Sequence, residues 1–274
     1  MYEWIEHKRR FINYEKHYKD YLYRYRTLSG IAGRIGTSVP TLQKRFADIA
    51  QDISWPKPSL GEPINLLLDA TYFGRQYGYL CFHDTERVIH ARQIQSESVE
   101  VIEQCINELL DVGYTFKSVT LDGRRGTLQL FEKRFPRLPI QMCQFHMKMI
   151  VLRLIGQRPI SPMSLDIQHL MTTMHDEELF YDTYKAVYQH HKTFFDQRDQ
   201  KGQRIYKKQM TALRSIYRWI PYLFTHQQYP KLNIPHTTNH LESTFAHLKQ
   251  KLKRHHGLQF KSKQNAINFI LNNP

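Results

Sequence analysis

Apolar and polar positions change period several times along the chain, and each change marks an element. Ile64-Asn65-Leu66-Leu67-Leu68-Asp69-Ala70-Thr71-Tyr72-Phe73 is a short, mostly apolar run, the form of a strand buried on both faces. Tyr77–His83 and Val88–Ile94 follow, parted by Asp84-Thr85-Glu86, so three adjoining strands predict an antiparallel meander. Over 98–110 the apolar positions are Val99, Ile102, Ile106, Leu109 and Leu110, one face of a helix. A strand over 116–122, a helix over 126–135, a short strand over 140–143 and an apolar helix over 145–155 complete the block. The order βββ-α-β-α-β-α predicts a mixed α/β fold in which helices pack against a mixed sheet.

The flanking segments read as helical. Residues 1–27 hold six tyrosines and seven Lys/Arg against four acids, with no Gly or Pro. In 28–49, Ile31 and Ile35 form one short apolar face, Gly36 can supply a turn, and Thr37 or Ser38 can cap a second helix. Val39, Leu42 and Phe46 then face inward, and Pro40 sits where its missing N–H costs least. With Ala32 four before the turn glycine this is a helix-turn-helix pattern, although any short helical hairpin shares it. As a helix-turn-helix it would expose Thr41, Gln43 and Lys44 to DNA. Residues 52–63, with three prolines and two acids, read as a linker. From 156 to 235 strand signals stop, and helical stretches around 165–174, 179–195 and 206–224 predict an insertion. Leu241, Phe245, Leu248 and Leu252 mark a final amphipathic helix. The expected organisation is therefore an N-terminal helical region (1–52), a first core part (62–155), a helical insertion (156–235) and a last core helix with a basic tail (236–274).

Charge narrows the class of partner. The chain of 274 residues carries 39 Lys/Arg against 25 Asp/Glu, a formal net charge of +14, which draws a polyanion. No apolar run approaches the ~18–20 residues of a spanning helix, and the first residues lack a basic-then-apolar secretory pattern. Three cysteines (Cys81, Cys105, Cys143) without a CxxC pair exclude an internal disulfide framework and a cysteine-rich zinc ribbon. A cytoplasmic, nucleoid-associated protein that faces nucleic acid is the expectation.

Several residues could carry chemistry. Asp69 falls near the end of the first buried run and Asp122 at the end of the fourth strand, so neighbouring strands would bring both carboxylates to one sheet edge. Paired carboxylates there suit hard cations such as Mg²⁺. Each also has an ordinary reading, Asp69 as a strand-terminal residue and Asp122-Gly123 as a turn dipeptide. Glu242, three residues after Asn239, fits either a capping box or a ligand offset from the Leu241/Phe245 stripe. Cys143-Gln144-Phe145-His146 could be half a zinc site, but no second Cys pair completes it, so zinc is not expected. No acid follows Glu242, which leaves Lys249, Lys251, Lys253, Arg254, Lys261 and Lys263 as a solvated face or a phosphate-binding surface.

Leu68-Asp69-Ala70-Thr71, Leu121-Asp122-Gly123, Cys143-Gln144-Phe145-His146 and Thr237-Thr238-Asn239-His240-Leu241-Glu242-Ser243 together resemble the DDE transposases of the Mutator-like superfamily, including bacterial insertion-sequence enzymes. The resemblance covers roughly residues 62–257, and the four motifs stand in the family's order. It implies a ribonuclease-H-like core, with Asp69, Asp122 and Glu242 as the catalytic, metal-binding triad and Cys143 and His146 as supporting residues. It implies two Mg²⁺ (or Mn²⁺) ions, ~3.5–4 Å apart, that serve an in-line phosphoryl displacement. The expected partners are double-stranded DNA (terminal repeats and target) and a second copy of the chain, with Lys249, Lys253 and Arg254 among the DNA contacts. Relatives of this kind often carry a zinc ribbon before the helix-turn-helix, and this sequence has none. A DNA-binding remnant without catalysis and a nuclease that only hydrolyses remain the alternatives.

Overall fold

The computed structural model describes residues 12–24, 26–51, 55–59, 61–255 and 257–273. The readings on 1–11, 25 and parts of the 52–63 segment lie outside the described residues. Two compact units form: residues 1–55 with 243–274, and residues 56–242.

The larger unit is a mixed α/β fold. Its sheet contains β1 (Ile64–Phe73), β2 (Tyr77–His83), β3 (Val88–Ile94), β4 (Phe116–Leu121) and β5 (Ile140–Met142), in the order β3-β2-β1-β4-β5. The meander is antiparallel, as expected, whereas β4 and β5 run parallel to β1. Parallel pairing requires crossovers, and α4 (Val99–Val112) and α5 (Arg125–Arg134) provide them. Ser98 caps α4 through the Val101 N–H, and Gly113 ends it in the left-handed region at φ 104. Apolar residues from one face of the sheet, among them Leu66, Leu68, Leu80, Phe82, Val119 and Leu121, form one buried core with Ile106 of α4, Phe131 of α5 and α6 (Gln144–Ile155).

Residues 156–235 are mainly helical: α7 (Pro162–Leu170), α8 (Glu177–His191), α9 (Lys207–Leu223) and the single turn α10 (Thr225–Gln228). They share their core with the sheet through Ile167, Phe180, Ile216 and Phe224. Buried amides then strap the returning chain to the strands. Asn65 Nδ2 donates to the carbonyls of Leu232 (3.0 Å) and Asn233 (2.9 Å), and Thr120 Oγ1 donates to Pro235 O (2.7 Å). Gln144 N–H donates to His236 O at 2.9 Å. These bonds fix where α11 (Asn239–Lys253) begins.

The smaller unit contains α1 (Tyr14–Arg24), α2 (Leu28–Ile35), α3 (Val39–Gln51), α11 from Ser243 onward and α12 (Phe260–Asn272). Gly36 at φ 70 turns the chain between α2 and α3, as the sequence predicts, and Ser38 accepts the Thr41 N–H at 3.3 Å. Ile31, Ala32, Leu42 and Phe46 are buried. Helix α12 is a departure from the expected basic tail: Ala266, Ile267, Phe269, Ile270 and Leu271 are buried, and the Phe269 ring lies 4.7 Å from Tyr18. The segment after Glu242 therefore belongs with the N-terminal helices, not with the sheet. Among the described residues, no helix is long and apolar enough to cross a membrane.

Candidate metal centre

The site grows from the edge where β1 and β4 part. Parallel pairing of these strands ends at Leu67 with Thr120. Two residues further on each strand stand Asp69 and Asp122. Asp69 is not at a strand end, as the sequence reading expected. It sits mid-strand opposite Cys81, because β1 continues for four more residues beside β2. Asp122 does follow the last residue of β4. The glycine after it leaves room for two side-chain ends: a Cβ at Gly123 would lie 2.7 Å from Ile150 Cδ1 and 2.9 Å from Met142 Cε, which would have to shift.

Helices α6 and α11 bring the remaining residues. Cys143 N–H donates to Leu121 O at 2.8 Å, which places the start of α6 beside the end of β4. His146, in the first turn, has Nε2 3.9 Å from Asp69 Oδ2. Glu242 lies in the first turn of α11, and its N–H donates to Thr238 O at 3.1 Å. Asp69, His146 and Glu242 each present a ligand atom within 4.8 Å of the others, a group that could hold a metal ion. Glu242 Oε1 is buried without a hydrogen-bond partner, an acceptor that a bound cation would satisfy.

Asp122 stands outside this close trio and is bonded to an arginine. Its Oδ2 accepts from Arg124 Nε at 3.1 Å, and its Oδ1 accepts the Arg124 N–H at 3.2 Å. The same guanidinium reaches Glu97 Oε2 at 2.8 Å. Glu97, whose side chain is 2% exposed, is a site residue the sequence reading missed. Its only sequence signal is an acid just before the Ser98 cap.

Electrostatics join these groups. Burial raises the Asp69 carboxyl to about 6, with Asp122 and Glu242 adding to the rise and His146 and the Ala70 N–H opposing it. Burial, with Asp122 and Asp69 adding and Arg124 opposing, raises Glu97 to about 7. Burial likewise raises Glu242, while His146 opposes it. His146 moves the other way: burial disfavours its charge, but Cys143, Asp69 and Asp122 outweigh burial and lift it to about 9. Cys143 is buried, and Thr238 donates its backbone N–H to the sulfur at 3.4 Å. Burial raises this thiol, yet hydrogen bonds from His146 and Thr238 reverse the direction and lower it.

No family model matches this chain, and no curated protein matches it either. Thr41, Gln43 and Lys44 are exposed on α3, and Lys249, Lys253 and Arg254 are exposed on or just after α11, where the sequence places them. All six belong to the smaller unit.

Proposed function

We propose that the chain is a metal-dependent DNA strand-cleaving and strand-joining enzyme of the DDE transposase type. The observation that carries this reading is the meeting of Asp69, His146 and Glu242, with Glu242 Oε1 buried and unpaired, beside Asp122 at the end of the adjacent parallel strand. The strand order, with a meander followed by two parallel strands, supports a ribonuclease-H-like core. The α2–α3 pair, its Gly36 turn and its exposed Thr41, Gln43 and Lys44 support a helix-turn-helix.

Asp69, Asp122 and Glu242 would hold Mg²⁺ or Mn²⁺, whose hard charge favours carboxylate oxygens. Bound there, such ions would activate an attacking hydroxyl and stabilise the leaving oxygen of a phosphodiester. The chain's own groups do the rest. His146, held protonated by Cys143 and the carboxylates, presents a cation beside them for a DNA phosphate. Arg124 orients Asp122 and neutralises the Glu97–Asp122 pair. The net charge of +14 attracts the duplex.

The test uses supercoiled plasmid that carries the DNA flanking the coding region on both sides, incubated with purified protein and Mg²⁺ or Mn²⁺. Nicked and joined products are expected from the wild type. Asp69→Ala, Asp122→Ala and Glu242→Ala should each reduce cleavage by at least about 10³-fold, since a coupled site fails as a unit. Cleavage without joining would replace transposase with hydrolytic nuclease. DNA binding with no cleavage under either ion would establish the non-catalytic alternative.

A further inference from the structure

A second cluster lies in the helical insertion, and we propose that Asp166, His190 and His191 form a binding site for a zinc-class transition metal. Asp166 is on α7, and the two histidines are the last residues of α8. His191 is buried, with Nε2 2.7 Å from Asp166 Oδ2, while the exposed His190 has Nδ1 3.9 Å from the same oxygen. Their rings stack in parallel, 4.4 Å apart with planes inclined by 2°, and each has a ring nitrogen within 3.9 Å of the same carboxylate oxygen. One ligand atom from each residue falls within 4.8 Å of the other two. Tetrahedral zinc at ~2.0–2.2 Å from N and O ligands requires ligand atoms about 3.3 Å apart, so the ion would replace the 2.7 Å His191–Asp166 hydrogen bond with a slight parting of the pair and draw His190 in from 3.9 Å.

The chemistry differs from that of the carboxylate site. Two imidazoles and one carboxylate select zinc, nickel or copper over magnesium. The α8 C-terminus adds a favourable dipole for a cation. Among the described residues, the ion-pair partners of Asp166 are these two histidines alone, and the neighbouring Lys192 ammonium is bonded to Gln189 at 2.7 Å instead. By contrast, the cluster of His90, Cys105 and Glu108 has Arg92 already on its carboxylate. The site leaves a fourth position for water and would tie α7 to the end of α8. Sequence spacing conceals it, because 23 residues separate Asp166 from His190.

Calorimetric titration of the chelator-treated full chain with Zn²⁺, in excess Mg²⁺, tests the assignment. One zinc per chain is expected, accompanied by a rise in melting temperature. His190→Ala should weaken that zinc at least about tenfold, as loss of a ligand must exceed the effect of losing a ligand's supporting bond. This variant keeps the buried His191–Asp166 pair, so it probes ligation and not folding. Asp69→Ala should leave the zinc in place, which separates this site from the carboxylate centre. The proposal is overturned if the wild type takes up no zinc, if His190→Ala binds it like the wild type, or if Asp69→Ala loses it.

Discussion

Asp69 is stabilised in its neutral form by burial but is needed as an anion for any metal role. Its folded value of about 6 exceeds the ordinary 3.8, so the native state holds a proton that the unfolded chain has released. Stability from this group therefore falls as pH rises from about 4 through 6, and the full penalty applies above that. Two pH units correspond to about 3 kcal/mol, a net figure in which the attraction of His146 already offsets part of the cost of burial. Asp69→Asn should stabilise the metal-free protein at pH 7 by roughly 1–3 kcal/mol, measured by urea denaturation. A fall in stability would overturn this account of the carboxyl. His146 has the opposite sign. Its folded value near 9 lies above the ordinary 6.5, so its contribution is complete below 6.5 and disappears as pH rises through 9. His146→Ala should flatten stability over that window and reduce strand cleavage. Cys143→Ser should cost mainly stability, about 1–2 kcal/mol, because a shorter oxygen cannot span the 3.4 Å to the Thr238 N–H.

At the scale of elements, local periodicity made most of the sheet and its helices readable, since strands β1 to β5 and helices α4 to α6 each carry their own apolar pattern. The neighbour relations were less legible. That Asp69 lies mid-strand follows from β2 extending beside β1, which no local pattern encodes. Glu97 and Arg124 escaped because their ion pairs form only after α4 and β4 are packed. Helix α12 was hidden for another reason. Its buried residues crowd into 266–271, and its first turns are Phe260-Lys261-Ser262-Lys263-Gln264, so no stripe runs its full length. The exposed face of α3 yields a direct expectation. If it contacts duplex phosphate, Lys44→Ala in the full chain should lower the slope of log affinity against log salt by about 0.9. An unchanged slope in fluorescence anisotropy would remove Lys44 from the interface.

For the whole molecule, the division into units decides how the N-terminal helices can be studied. Residues 1–55 share their unit with 243–274, and Tyr18 and Phe46 pack in the same aromatic cluster as Phe269. A chain cut after Glu242 keeps all of the candidate metal ligands yet loses that partner. Limited proteolysis should therefore cut such a truncated protein within 12–51 well before the full chain, and equal protection would contradict the shared unit.

The same discontinuity imposes an order on synthesis. Helices α1 to α3 leave the ribosome before the sheet unit, and the segment that covers them is made roughly 190 residues later, about 10–40 s at ~5–20 residues per second. During that interval Tyr18, Leu22 and Phe46, buried in the finished protein, have no C-terminal cover. The sheet unit, complete by Glu242, is translated entirely within that delay. The N-terminal helices are thus made before the sheet unit and enclosed after it, so the exposure of their apolar residues during synthesis follows from topology rather than from size.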